Sequence, residues 1–299
     1  MNIVFGIYKK LIMIKQLIIF IDLTRLNKPI GFMLLFWPCS WGLALGYDFA
    51  LGANKFLYFL LLFFLGSVLM RSAGCIINDV VDKDLDQKVL RTKNRPVAAN
   101  KITIQRSLIY ATGLCLTAFV ILMQFNNQTI ILGFGSMFLA FTYPFMKRIT
   151  FWPQLFLGLT FNWGVIMSWS SINTTFSSDV ILLYIAAIFW TLGYDTIYGA
   201  QDIADDEIIG VKSTSIKFKN NIKKFVSLCY LISSILIIHI FLNKMTINIG
   251  TFLLVFFVIT LIFQIIIFDK NNSLSCLRAF KTNNLSGLIV FLGITVLRI

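Results

Sequence analysis

Nine long apolar runs divide this chain, at about residues 30–46, 56–77, 104–124, 129–146, 152–170, 179–198, 225–243, 247–268 and 284–298. Each run is continuously apolar rather than alternating, so helices and not strands are expected. A membrane-crossing helix takes about 20 residues, which the shorter runs reach by borrowing their flanks. Only 13% of the 299 residues are charged and 58% are hydrophobic, where soluble globular chains carry about 25% charge. The expected fold class is therefore all-α, a polytopic membrane protein with nine transmembrane helices. Residues 1–28 stand apart. Their apolar stretch at 11–21 is too short to span and is broken by Lys15 and Gln16. No small-residue cleavage site follows it, so an interfacial segment is expected rather than a secretory signal. The transmembrane domain then covers 29–299.

The net charge of +13 does not point to nucleic acid. With the N-terminus in the cytoplasm, 22 Lys and Arg fall in cytoplasmic segments, and only Lys55, Lys244 and Arg298 fall on the other side. That asymmetry orients the protein with its N-terminus in and its C-terminus out. The five Cys residues show no C-x-x-C spacing and suggest neither disulfides nor zinc. Trp37, Trp41 and Trp152 are expected in the interfacial aromatic belts.

Nine of the 13 acidic residues gather in two clusters, Asn78–Asp86 and Asp195–Glu207, each at the end of an apolar run. Carboxylates beside a membrane span are a functional site by default. Four spans separate the clusters, so both lie on the cytoplasmic side, in the two longest loops, at about 78–103 and 199–224. Both loops open on Asp-x-x-x-Asp, as Asp82/Asp86 and Asp202/Asp206. At 100° per residue, Arg71, Asn78, Asp82 and Asp86 share one helix face, as do Asp195, Tyr198, Asp202 and Asp206. Two such faces could oppose carboxylates across a cavity, with Mg²⁺ ions bridged by a diphosphate removing the repulsion. Isolated, one such motif would be a solvated loop; two on one side, in register, point to function. Asp84 faces away from the set.

Cations surround the clusters. Lys88, Lys217, Lys219 and Lys223 fit the positive-inside bias, whereas Arg91, Arg95, Lys147, Arg148 and Lys212 are candidate anion binders beside the carboxylates. Arg71 lies two turns inside its span, where an arginine costs at least about 2.5 kcal/mol, and is the candidate for holding an anionic group of a substrate. Tyr143 and Tyr198 are the aromatic residues nearest the charged motifs and could steady a cation through their π faces.

These motifs resemble those of the UbiA-type intramembrane prenyltransferases. Asn78-Asp79-x-x-Asp82-x-x-x-Asp86 followed by Arg91-Thr92-x-x-Arg95-Pro96 is similar to the family's first motif. Tyr194-Asp195-Thr196-x-Tyr198-x-x-x-Asp202-x-x-Asp205-Asp206, continuing to Gly210-x-Lys212-Ser213-Thr214, is similar to its second, and Tyr143-Pro144-Phe145-Met146-Lys147-Arg148 to a third stretch. Arg25-Leu26-Asn27-Lys28-Pro29-Ile30-Gly31 and Trp37-Pro38-x-x-Trp41 resemble the opening of the 4-hydroxybenzoate polyprenyltransferases, except that Asn27 stands where Asp is common. The resemblance implies nine helices around a central cavity open sideways to lipid, in a bacterial-type or mitochondrial inner membrane. It implies transfer from a polyprenyl diphosphate to the ring of 4-hydroxybenzoate in ubiquinone synthesis. Asn78, Asp82, Asp86, Asp202 and Asp206 would hold Mg²⁺, Asp79 and Asp195 would support them, and Arg71 would hold the aromatic acid.

Three other readings compete. The same fold could prenylate a naphthoate, haem or chlorophyll-type acceptor. A cation transporter would line a path across the bilayer with charge, but here the acidic clusters keep to one side. A phosphatidyltransferase would carry one contiguous acidic motif with an embedded Ala-Arg, which is absent.

Overall fold

The computed structural model describes residues 2–299, and the side chains of residue 10 and of residues 13 onward. Helices account for every regular element, with no strand among the described residues. In chain order they are α1 (Asn2–Thr24), α2 (Ile30–Gly46), α3 (Ala53–Val81), α4 (Lys83–Asp86), α5 (Ile104–Leu122), α6 (Asn127–Ile149), α7 (Pro153–Ser170), α8 (Ser178–Gly199), α9 (Ile203–Ile209), α10 (Thr214–Lys217), α11 (Ile222–Phe241), α12 (Ile249–Ile267) and α13 (Ser273–Arg298). Local sequence sets many of the boundaries. Thr103, Asn126, Ser177 and Asn248 each accept a hydrogen bond from a backbone N–H of the first turn that follows, satisfying donors that lipid would leave bare.

A helix stands at each of the nine apolar runs, but seven among the described residues are long and apolar enough to cross a membrane. They are α3, α5, α6, α11, α12, α13 and the stretch Ser178–Ile209 that begins with α8. The other two differ for physical reasons. α2 is apolar but has only 17 residues. α7 carries Gln154, Thr160, Asn162, Ser168 and Ser170, polar groups tolerated because most of them are buried inside the bundle. α2 and α7 pack against each other closely enough that a Cβ on Gly42 would lie 2.3 Å from the Val165 carbonyl and one on Gly164 2.3 Å from Cys39 Sγ. Small residues that let backbones approach are how helices associate where lipid is as apolar as leucine.

A buried polar chain ties the C-terminal half together. Trp190 Nε1 on α8 donates to Asn283 Oδ1 at 2.8 Å, Asn283 Nδ2 donates to Gln264 Oε1 at 2.8 Å, and Tyr230 donates its hydroxyl to Gln264 at 2.6 Å. Trp37 and Trp41 belong to this interior and not to an interfacial belt. They are 5% and 0% exposed, and their indole N–H groups donate to Asn284 Oδ1 and the Gly287 carbonyl, each at 2.9 Å. Burial is possible because α13 brings those acceptors to them. α1 runs past the short apolar stretch to Thr24 and packs on α3, with Leu23 and Thr24 buried.

Candidate active site

The two acidic motifs do not continue their spans as straight helices. α3 ends at Val81, Asp82 caps it, and the chain turns into the one-turn α4. α8 ends at Gly199, followed by a tight 3₁₀ turn and then α9. The common-face geometry expected from uninterrupted helices is therefore absent. Its outcome is reached by turning the chain: Asn78, Asp82, Asp86, Asp202 and Asp206 all line one cavity of about 180 Å³. Arg91, Arg95, Lys147, Lys212 and Asp195 line it too.

Within this polar pocket Asp82, Asp86 and Asp202 pair with cations, while Asp195 and Asp206 make no ion pair. Arg91 donates Nε and Nη2 to the two Asp202 oxygens at 2.8 and 2.6 Å and Nη1 to the Tyr198 hydroxyl at 3.1 Å. Arg95 reaches Asp86 at 2.7 Å and Asp79 at 3.2 Å. Lys147 pairs with Asp82 Oδ2. No three acidic, thiol or imidazole groups converge to hold a metal ion among the described residues. At Asp82, Asp86 and Asp202 ion pairs thus stand where face-to-face carboxylates are expected, because like charges at low dielectric repel strongly and the flanking Arg and Lys are within reach. Burial pushes the Asp82 carboxyl above the usual carboxylate range, against the pull of the Lys147 ammonium.

The donor set still suits a hard divalent cation. Every candidate ligand offers oxygen. Asp82 Oδ1 is buried without a hydrogen-bond partner, with Arg148 3.7 Å away. The cations now holding the other oxygens are themselves suited to phosphate.

Beneath the polar pocket lies a cavity of about 720 Å³ whose wall is mostly apolar. Asn78, Arg91, Arg95, Tyr143, Pro144 and Asp195 line both spaces. Tyr198 and Arg71 face only the larger one. The Arg71 guanidinium makes no hydrogen bond or ion pair with any described residue: it sits 5.3 Å from the Phe161 ring, and its Nε is buried without a partner. Gly31 makes room for it, since a Cβ there would stand 3.0 Å from that nitrogen. A half-buried cation without an ion-pair partner in a cavity wall is an anion site by its electrostatics. The cavity reaches the lipid-facing surface, for Phe119, Phe134 and Phe141 line it and are each at least 40% exposed.

Some candidates lie elsewhere. Arg148 lines neither space; it donates to the Val81 carbonyl at 2.9 Å. Asp79 is turned away from the polar pocket and held by Arg25 at 2.5 Å and by Arg95. Lys212 reaches the pocket wall while donating to the Ile149 carbonyl at 3.1 Å. Asn27 donates to Asp22 Oδ1 at 3.1 Å, and both line the large cavity. Arg25, Phe161, Tyr194 and Gln154 are cavity residues without a role in the sequence reading. Arg25 was visible in the opening motif but not as a partner for Asp79, which is 54 positions away.

Residues 35–287 match the UbiA prenyltransferase family. The chain is 42% identical to the mitochondrial 4-hydroxybenzoate polyprenyltransferase of Bos taurus over 283 residues, 93% of this chain and 74% of that protein. It is 40% identical to the protein of that name from Caenorhabditis elegans over 289 residues, 92% of this chain and 77% of that one. Among solved structures, a UbiA homolog from Aeropyrum pernix K1 superposes with a TM-score of 0.73 at 21% identity, covering 88% of this chain and 97% of that one. A UbiA homolog from Archaeoglobus fulgidus bound to GPP and Mg²⁺ gives 0.68 at 18% identity, covering 93% and 99%. The shared fold, the match over most of the chain and the two motif loops meeting at one pocket lead to one assignment: this chain belongs to the UbiA prenyltransferase family.

Proposed function

We propose that this protein transfers a polyprenyl group from a polyprenyl diphosphate to 4-hydroxybenzoate, at the ring carbon beside the one bearing the hydroxyl, in ubiquinone synthesis. The observation that carries this reading is the stacking of two spaces. A polar pocket with carboxylates and cations from both motifs sits on a large apolar cavity that has an unpaired arginine in its wall. A diphosphate with a long apolar tail and an aromatic acid needs those three features together.

In this reading Asn78, Asp82, Asp86, Asp202 and Asp206 hold Mg²⁺, which when bound supplies positive charge to the diphosphate oxygens. Arg91, Arg95, Lys147 and Lys212 neutralise the diphosphate as the allylic C1–O bond breaks and its electron pair leaves with the phosphate oxygen. Arg148 stays at the rim as a second cation beside Asp82. Asp79 orients Arg25 and Arg95. Arg71 holds the acceptor's carboxylate and so fixes which ring carbon faces C1. Tyr143 and Tyr198 present their rings to the allylic cation. Once the ring carbon bonds to C1, its proton passes to the Asp195 carboxylate, which makes no hydrogen bond in the structure and lines both spaces, or to the departing diphosphate. The apolar wall keeps out water that would capture the cation.

All nine helices at the apolar runs cross the bilayer in this reading, α2 and α7 shielded by their neighbours. Residues 1–28 lie along the cytoplasmic face of an inner membrane, with the motif loops on that side. Purified protein in lipid nanodiscs, supplied with Mg²⁺, geranyl diphosphate and 4-hydroxybenzoate, should yield the prenylated acid by mass spectrometry. Turnover on a naphthoate but not on 4-hydroxybenzoate would reassign the acceptor.

A further inference from the structure

We propose that Gly66 governs how long a prenyl donor the apolar cavity accepts, an inference that rests on the prenyl-diphosphate reading above. α3 runs along the cavity, from Asn78 beside the polar pocket to Phe63 and Leu62 at the deep end. At 1.5 Å per residue, Gly66 lies about 18 Å from Asn78 along the helix axis. Beyond it Phe63 and Phe125, ring centroids 4.7 Å apart, line the cavity.

Glycines lining this cavity fall into two kinds. At Gly31, Gly133 and Gly164 a Cβ would stand 3.0, 2.7 and 2.3 Å from a neighbouring side chain, so packing requires their smallness. At Gly66 and Gly74 a Cβ would meet nothing within 4 Å. Packing therefore does not demand glycine at either position, and glycine weakens a helix relative to alanine. What its absence of side chain preserves is cavity space. Gly74 is one turn from Asn78, where every donor must pass. Gly66 lies deeper, past the end of a geranyl chain, where only longer donors extend. A side chain at position 66 would occupy the path of the later isoprene units and leave the first ones untouched.

The test compares kcat/KM for geranyl and solanesyl diphosphates in wild type, Gly66→Ala, Gly66→Leu and Gly113→Leu. Gly113 lies on α5, is exposed, does not line the cavity, and also has nothing within 4 Å of a built Cβ. It controls for adding a leucine to a transmembrane helix. Gly66→Leu should lower the solanesyl-to-geranyl ratio at least about tenfold, Gly66→Ala should lower it by less, and Gly113→Leu should keep the wild-type ratio. An unchanged ratio in Gly66→Leu overturns the proposal, as does the same fall in Gly113→Leu. The same ranking is read without acceptor, as protection of each variant from thermal unfolding by each diphosphate. A wild-type protein stabilised by both diphosphates but inert toward 4-hydroxybenzoate would sink the acceptor assignment while leaving the length preference measurable. If Gly66→Leu does not fold, the ratio in Gly66→Ala decides: no shift there overturns the proposal.

Discussion

Arg91 of the first motif loop holds both carboxylate oxygens of Asp202 in the second, at 2.8 and 2.6 Å. A bidentate arginine–carboxylate pair is among the stronger polar contacts available to a protein, and this one joins segments 111 positions apart. It also uses one lone pair on each Asp202 oxygen and sets a cation in competition with any metal there. In the proposed reaction, diphosphate and Mg²⁺ divide the pair, Arg91 turning to phosphate and Asp202 to the ion. Removing either partner should therefore have opposite effects on the metal. Arg91→Ala should tighten Mg²⁺ binding in the absence of donor, while lowering kcat/KM for the diphosphate by about 100-fold. Asp202→Ala should abolish transfer and weaken Mg²⁺. Calorimetric titration with Mg²⁺ alone reads the first effect, and weaker binding in Arg91→Ala would count against this exchange.

Asp82 holds the third stretch to the first motif, through Lys147 and, at longer range, Arg148. Asp82→Ala should abolish transfer while the protein still inserts and folds, because the Lys147 and Arg148 side chains, 25% and 47% exposed, can turn to water. Asp82→Asn, which keeps the volume but not the charge, should be equally inactive. The checks are product formation and thermal unfolding in detergent. Full activity in either variant would remove Asp82 from the metal set.

How much of this was legible beforehand depends on range. Helices at the apolar runs, the placement of the two clusters at the same end of the bundle and the meeting of Asp82, Asp86, Asp202 and Asp206 followed from hydropathy, span count and spacing. Two features did not. The helix breaks at Asp82 and Gly199 alter the register that a straight helix would impose, and nothing in an Asp-x-x-x-Asp spacing distinguishes a helix from a turn that brings the same residues together. The ion pairs escaped because each depends on tertiary approach: Lys147 to Asp82 spans 65 positions and Arg25 to Asp79 spans 54. The indoles of Trp37 and Trp41 read as interfacial because their acceptors on α13 lie about 250 residues away in sequence.

Arg71 without a partner beside Phe161 makes a specific kinetic prediction. Hydrogen bonds to a charged group contribute about 1.5–3 kcal/mol, so Arg71→Ala should raise KM for 4-hydroxybenzoate roughly 10- to 100-fold, and KM for the diphosphate far less. Arg71→Lys should restore part of the loss. Gly31→Ala should shift the same constant in the same direction by a smaller amount, because its Cβ would press on Arg71 Nε from 3.0 Å. If Arg71→Ala instead raises KM chiefly for the diphosphate, Arg71 belongs to the donor site.

Arg25 carries the N-terminal helix into the site. It follows the last residue of α1 with φ of 56°, a left-handed conformation uncommon for a residue with a Cβ. The turn aims its guanidinium at Asp79, which is 1% exposed and has its second oxygen unpartnered. Strain of this kind persists where surrounding contacts outweigh it, and here the contact is a buried ion pair. Removing one partner of such a pair is destabilising by about 3–5 kcal/mol, and the remaining Arg95 contact at 3.2 Å should soften that to the lower end. Arg25→Ala should therefore lower the unfolding temperature and also raise KM for the diphosphate, since Arg95 is drawn further toward Asp79. Arg25→Lys keeps the charge but loses the planar fork, and should recover stability more than activity. A variant lacking Arg25 that matches wild type in both unfolding temperature and KM would show that α1 is not fastened to the site through this residue.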